Sequence, residues 1–284
     1  MEVKNLATTI FRIPEVEGRW MVMSGLAIVC IVLIMAIFAP LIAPYDPTKS
    51  SGEILEAPSM KHLMGTDNLG RDIFSRIIYG SRVVLMVVFS ASLVSMSIGV
   101  PIGLISGYFG GKLDRAISML MDSMYAFPSL ILAIAIAAVL GPSVVNAVVA
   151  ISVVYVPTYF RMIRGQTLSL KSRLFVEAAK AIGAKDTRIM GRYILPNIVT
   201  TVVVVFSLSV ADAILTEAGL SFLGFIVTAP TPDWGFELSA GRPYLPAGYW
   251  WMITFPGLMV MLLSLGFALI GEGLSEIYAP GRER

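Results

Sequence analysis

Three carboxylates stand where water is scarce: Asp122, Asp212 and Glu217 each fall in or at the edge of a long apolar stretch. A carboxylate in hydrocarbon is costly, so each must face protein or a water-filled path. Groups placed this way can relay protons, contact a substrate or gate a path. The plainer alternative is a hydrogen bond to a neighbouring helix, or a neutral, protonated acid. Asp212 and Glu217 are five residues apart, too far round a helix to share one face closely. Little else points to catalysis. His62 is the sole histidine and sits in a polar segment, so an intramembrane Ser–His dyad is unavailable. There is no G-x-S-x-G elbow and no set of Cys, His and carboxylates at metal-ligand spacing. Gly110-Gly111-Lys112-Leu113 lacks both the earlier glycine and the Ser or Thr of a phosphate loop. An intramembrane enzyme is disfavoured, and the chain itself is expected to hold no cofactor and no metal.

A second group of residues suggests docking. Ser172 can cap a short helix through Leu174–Ile182, and Gly183 can end it in the left-handed conformation. That helix carries the small residues Ala178 and Ala179 at its centre, behind Glu177, so its small face could enter a groove on another protein. Further on, Leu195-Pro196 opens an apolar run, where Pro suits a first helical turn.

The elements that carry these residues are membrane spans. Of the 284 residues, 56% are hydrophobic and only 14% charged, against about 25% charged in a soluble domain. Mean hydropathy is +0.80. Apolar runs of about 20 residues suffice to cross a bilayer. They predict six spans near 21–43, 83–108, 115–140, 144–163, 194–222 and 250–272, with Gly141-Pro142-Ser143 dividing the longest run. The expected organisation is an N-terminal segment 1–20, a first anchor 21–43, an external loop 44–82, a five-helix core 83–272 and a tail 273–284. The core would carry a cytoplasmic loop at 164–193. Fifteen of the 21 Lys and Arg fall on the N-terminal side of the membrane in this scheme and six on the other. That asymmetry predicts both termini in the cytoplasm. The first run is too long for a secretory signal and reads as a retained anchor. Pro101, Pro128, Pro157 and Pro256 are expected to bend spans, and lone Cys30 to pack. Gly99, Gly103 and Gly107, four apart, clear one face of the second span for close approach of another helix, in this chain or another.

Glu177-Ala178-Ala179-x3-Gly183, followed by Leu195-Pro196 before a span, resembles the EAA loop of binding-protein-dependent ABC importer permeases; Tyr193 stands where that pattern usually has Ile. Gly65-Thr66-Asp67-x2-Gly70-Arg71-Asp72-x2-Ser75-Arg76 precedes the second span. Phe127-Pro128-Ser129, Glu217-Ala218-x-Leu220-Ser221-Phe222-Leu223-Gly224 and Pro232-x-Trp234-Gly235 follow. Together they resemble the C-type permeases of the dipeptide/oligopeptide/nickel group, from about residue 20 to 280. Gly271 to Glu276 and Ala279-Pro280 depart from the group, which often has Asp there. The resemblance implies an all-α, type I importer permease fold and a role as a non-catalytic transmembrane subunit. The implied partners are a B-type permease, two cytoplasmic ATPases that bind ATP and Mg, and an external binding protein. Glu177, Ala178, Ala179, Gly183, Leu195 and Pro196 would then belong to an ATPase-coupling element. Peptides are the expected cargo, with oligosaccharides or nickel chelates as alternatives. A proton-coupled secondary transporter using Asp122, Asp212 and Glu217 is the competing reading.

Overall fold

The computed structural model describes residues 3–278, with side-chain environments from Gly18 onward. Lys4 and Arg12 in the charge count therefore have no described side-chain setting, and Ala279, Pro280, Arg282 and Arg284 lie outside the described residues.

The described chain is helical, with no strand beyond an isolated bridge between Thr66 and Asp72. In order come α1 (Val3–Ile37), α2 (Ala39–Ile42), α3 (Ile73–Phe109), α4 (Gly111–Tyr125) and α5 (Ser129–Leu140). Then follow α6 (Val144–Leu170), α7 (Leu174–Ala181), α8 (Asp186–Arg188), α9 (Leu195–Phe222), α10 (Trp234–Gly241) and α11 (Trp251–Ile277). Five helices are long and apolar enough to cross a membrane, or six crossings if the bent pair α4–α5 counts as one. The main core lies between α3, α6, α9 and α11, and α1 packs chiefly along α11. Cys30 does not pack; it is exposed on α1.

Three expectations need correction. The third span is not one helix: α4 and α5 meet at 92°. Pro128 disfavours helical geometry at the preceding Phe127 and stands extended, at ψ 129°, before α5. Second, the loop expected over 44–82 ends earlier, because α3 begins at Ile73. Asp72 caps it by accepting from the Ser75 N–H at 2.8 Å. The charged residues that made this stretch look like loop are satisfied locally. Arg76 is fully buried in polar contacts, and Arg82 Nε donates to the Ala36 carbonyl at 2.6 Å, closing the end of α1. Third, Ser172 does not cap α7. It still follows the last turn of α6, and its hydroxyl donates back to the Ser169 carbonyl at 3.2 Å, while Arg173 takes the N-cap position without a side-chain bond.

Candidate functional site

The loop between α6 and α9 folds back onto the bundle. Val176 and Ala179 of α7 are buried, in a small core with Leu104, Tyr108, Ile163, Ile189, Ile194 and Ile198. On the other side of the helix, Leu174 and Ile182 are 82% and 80% exposed, and Glu177 and Ala178 are exposed with them. An eight-residue helix is too short to hold itself in water, so this packing is what keeps it folded. Gly183 ends it at φ 80°; its N–H donates to the Lys180 carbonyl and the Ala184 N–H to the Ala179 carbonyl. This crossed pair satisfies the last carbonyls of the helix. Polar contacts tie the loop to α3: Lys171 Nζ donates to the Gly107 carbonyl at 2.9 Å, and Tyr108 Oη to Asp186 at 2.5 Å. A π-helical turn, Ile189–Ile194, leads into α9, where Leu195 is half-buried and Pro196 exposed in the first turn.

Gly99, Gly103 and Gly107 face α6. A Cβ at these positions would come within 2.6 Å of the Tyr159 Cβ, 2.7 Å of the Phe160 carbonyl and 2.9 Å of the Arg164 carbonyl. The helix they meet is thus in this chain. Their contact fixes the rotation of α6 and so decides which of its residues turn outward.

α6 also carries a polar ladder. Tyr155, Thr158, Arg161 and Arg164 recur every third residue, a spacing that winds half-way round α6 from the first to the last, and three of them hold a carboxylate from another helix. Arg164 donates to both oxygens of Asp114, at 2.6 and 2.7 Å. Arg161 donates to Asp122 at 2.8 Å and lies 4.0 Å over the Tyr125 ring. Tyr155 Oη donates to Asp212 Oδ2 at 2.7 Å and shares a 2.9 Å bond with Thr216. At 1.5 Å per residue the ladder climbs about 13 Å. The side chains of Arg161 and Asp122 are 50% and 63% exposed, and Asp212 is exposed as well. Charges so placed within a bundle of spans cannot face lipid tails. Two clefts open along the ladder. One of about 220 Å³ lies under the α4–α5 elbow and is lined by Tyr125, Phe127, Ser129, Tyr155, Thr158 and Asp212 among others. A wider one of about 800 Å³ is lined by α4 residues from Gly111 to Ser123 and by Arg164.

The three intramembrane carboxylates are not brought together. Asp122 and Asp212 each pair with a ladder residue, whereas Glu217 is fully buried beside α10. Neither Glu217 oxygen has a hydrogen-bond donor among the described residues, and its charged neighbour is Asp233. Asp233 caps α10 through the Gly235 N–H at 2.9 Å and accepts from the Ser221 hydroxyl. Around it, distant sequence segments interlock. Arg76 donates to Glu237 at 2.8 and 2.5 Å and to the carbonyls of Pro47 and Pro230. Trp234 donates to the Ile77 carbonyl and Trp251 to the Thr66 carbonyl. His62 is buried against Asp72 at 2.9 Å. The motifs that precede the second span and fill the last loop therefore build a rigid cap at the end of the bundle opposite α7. Tyr155 and Arg161 are ladder residues, and Thr216 a neighbour of one, that reading the sequence did not single out; the three-residue spacing from Tyr155 to Arg164 was the available signal for the first two.

Comparison with known proteins agrees with this architecture. Residues 99–283 match the family described as the binding-protein-dependent transport system inner membrane component, and residues 19–58 the N-terminal TM domain of oligopeptide transport permease C. The dipeptide transport system permease protein DppC of Alkalihalophilus pseudofirmus is 44% identical, over 94% of this chain and 88% of the relative. DppC of Haemophilus influenzae is 41% identical over 90% and 89%. The glutathione transport system permease protein GsiD of Pectobacterium atrosepticum is 40% identical over 91% and 86%. Among solved structures, a chain of the MetNI methionine ABC transporter in inward-facing conformations superposes with a TM-score of 0.54. It shares 19% identity and is matched over 70% of this chain and 96% of that one. This chain belongs to the family of binding-protein-dependent transport system inner membrane components.

Proposed function

We propose that this chain is one of two permease halves of an ATP-driven importer of di- or oligopeptides. It supplies one wall of the path and the contact through which a cytoplasmic ATPase moves it. The reading rests above all on α7: a helix pinned to the bundle by Val176 and Ala179 that leaves Leu174, Ala178 and Ile182 uncovered. An apolar stripe spaced i, i+4, i+8 suits insertion into a hydrophobic groove. Its backing by Lys171, Tyr108 and Asp186 would pass a push on α7 to α3 and α6. Peptide cargo is supported by the dipeptide and glutathione permeases among the relatives, glutathione being a tripeptide. The second permease, a pair of ATPases carrying ATP and Mg, and an external binding protein complete the machine. This chain performs no bond-breaking chemistry of its own. Its N-terminus and α7 lie on the cytoplasmic side.

The test is Ala178→Arg. An arginine on the open face of α7 leaves Ala179 and its packing intact but places a charge in the groove contact. ATPase co-purification and ATP-driven peptide uptake into vesicles without a proton gradient are expected to fall at least tenfold, while the amount of membrane-inserted chain stays constant. Normal co-purification with unchanged uptake would show that α7 is not the docking element. Uptake that required a proton gradient rather than ATP would remove the importer reading itself.

A further inference from the structure

The ladder has one rung unlike the others. Asp114 and Asp122 each hold an arginine, but no Lys or Arg comes within 4 Å of Asp212 among the described residues. The partner of its carboxylate is a hydroxyl, that of Tyr155, which orients the group without neutralising it; Thr216 donates to the Asp212 backbone carbonyl and lies against the Tyr155 hydroxyl. Tyr155 occupies Oδ2, and Oδ1 has no donor among the described residues. Asp212 is also exposed while Ala211, Ala213 and Ile214 around it are buried. An unneutralised charge at membrane depth, open to a cleft, is expensive unless something cationic meets it.

We infer that Asp212 is a transient subsite for the terminal ammonium group of cargo passing along the path. This rests on the peptide-importer reading. The cleft of about 220 Å³ suits the end of a small peptide better than a whole oligomer. Tyr125 and Phe127 line the same cleft. The Tyr155 hydroxyl, itself held by Thr216, orients the carboxylate. With a single carboxylate and no second charge, the contact stays weak enough for release, which a conduction site requires.

The experiment uses the complete transporter, with its second permease, ATPases and binding protein, in proteoliposomes supplied with radiolabelled Ala-Ala. Peptide uptake and ATP hydrolysis are measured together. Asp212→Asn is expected to move about tenfold fewer peptides per ATP than wild type, Tyr155→Phe about threefold fewer, and Asp212→Glu to recover most of the loss. An unchanged ratio in Asp212→Asn would overturn the subsite. So would a parallel fall in uptake and hydrolysis, which marks a structural role. Loss of the second permease on purification would overturn it too, by making Asp212 an inter-subunit contact. If wild type itself moves no peptide with ATP, the importer reading fails and the subsite falls with it; failure confined to the variants removes the subsite alone.

Discussion

Arg76 and Arg161 show two ways of keeping a cation in a membrane protein. Arg161 is half-exposed and leans on Asp122 and the Tyr125 ring. Arg76 is fully buried, and its guanidinium is occupied by Glu237 and by two backbone carbonyls. Removing one member of such a pair strands the other charge, at a cost of about 3–5 kcal/mol, whereas replacing both with apolar groups is often neutral. Arg76→Met alone is therefore expected to lower the thermal unfolding midpoint of the detergent-purified protein sharply. Arg76→Met combined with Glu237→Leu should recover most of that loss. If the double variant were as unstable as the single one, the other Arg76 contacts, to the carbonyls of Pro47 and Pro230 and to Asp67 at 3.8 Å, and not its pair with Glu237, would hold the cap together.

At the scale of elements, α3 and α6 form the central contact, and its closeness depends on missing side chains. A Cβ on Gly103 would lie 2.7 Å from the Phe160 carbonyl and 3.2 Å from the Ile163 Cβ, and neither can yield without moving α6. Gly103→Leu is expected to cost about 1–3 kcal/mol or more by overpacking and to disturb the ladder that α6 presents, reducing uptake. Gly165, on α6 with open space around its Cβ, should accept Ala without loss; melting curves of the two variants separate the cases. Apolar run lengths revealed the spans, and the four-residue glycine spacing revealed that some helix must approach. A bend at Pro128 was expected, but not a 92° elbow that divides the span, because Phe127-Pro128 biases only two residues while the polar face of α4 was averaged into the apolar run of α5. The first turns of α3 were hidden for a different reason. Arg76 reads as a loop residue until its partner, 161 positions away, is in view. The same distance effect concealed the rungs from Tyr155 to Asp212 and from Arg161 to Asp122, whose partners lie on separate helices.

Across the whole molecule, the two ends of the bundle are built for different work. One end is a cap in which polar groups pair with each other: Arg71 with Asp67, His62 with Asp72, Arg76 with Glu237. The other carries α7, whose apolar stripe is left open, and an excess of Lys and Arg. Translocation follows the count of basic residues near the spans and not their pairing in the finished fold, so the fifteen-to-six split argues that the α7 end stays in the cytoplasm. Site-directed labelling can check this in a background where the lone Cys30 is replaced by Ser. Lys49 is 78% exposed at the cap end, and Ser172 is exposed just before α7. A membrane-impermeant maleimide is expected to label Lys49→Cys in intact cells, and Ser172→Cys only after the membrane is opened. The reverse pattern would invert the molecule and place α7 out of reach of any cytoplasmic ATPase. Labelling of both from outside would mean that the two ends do not lie on opposite faces of the membrane.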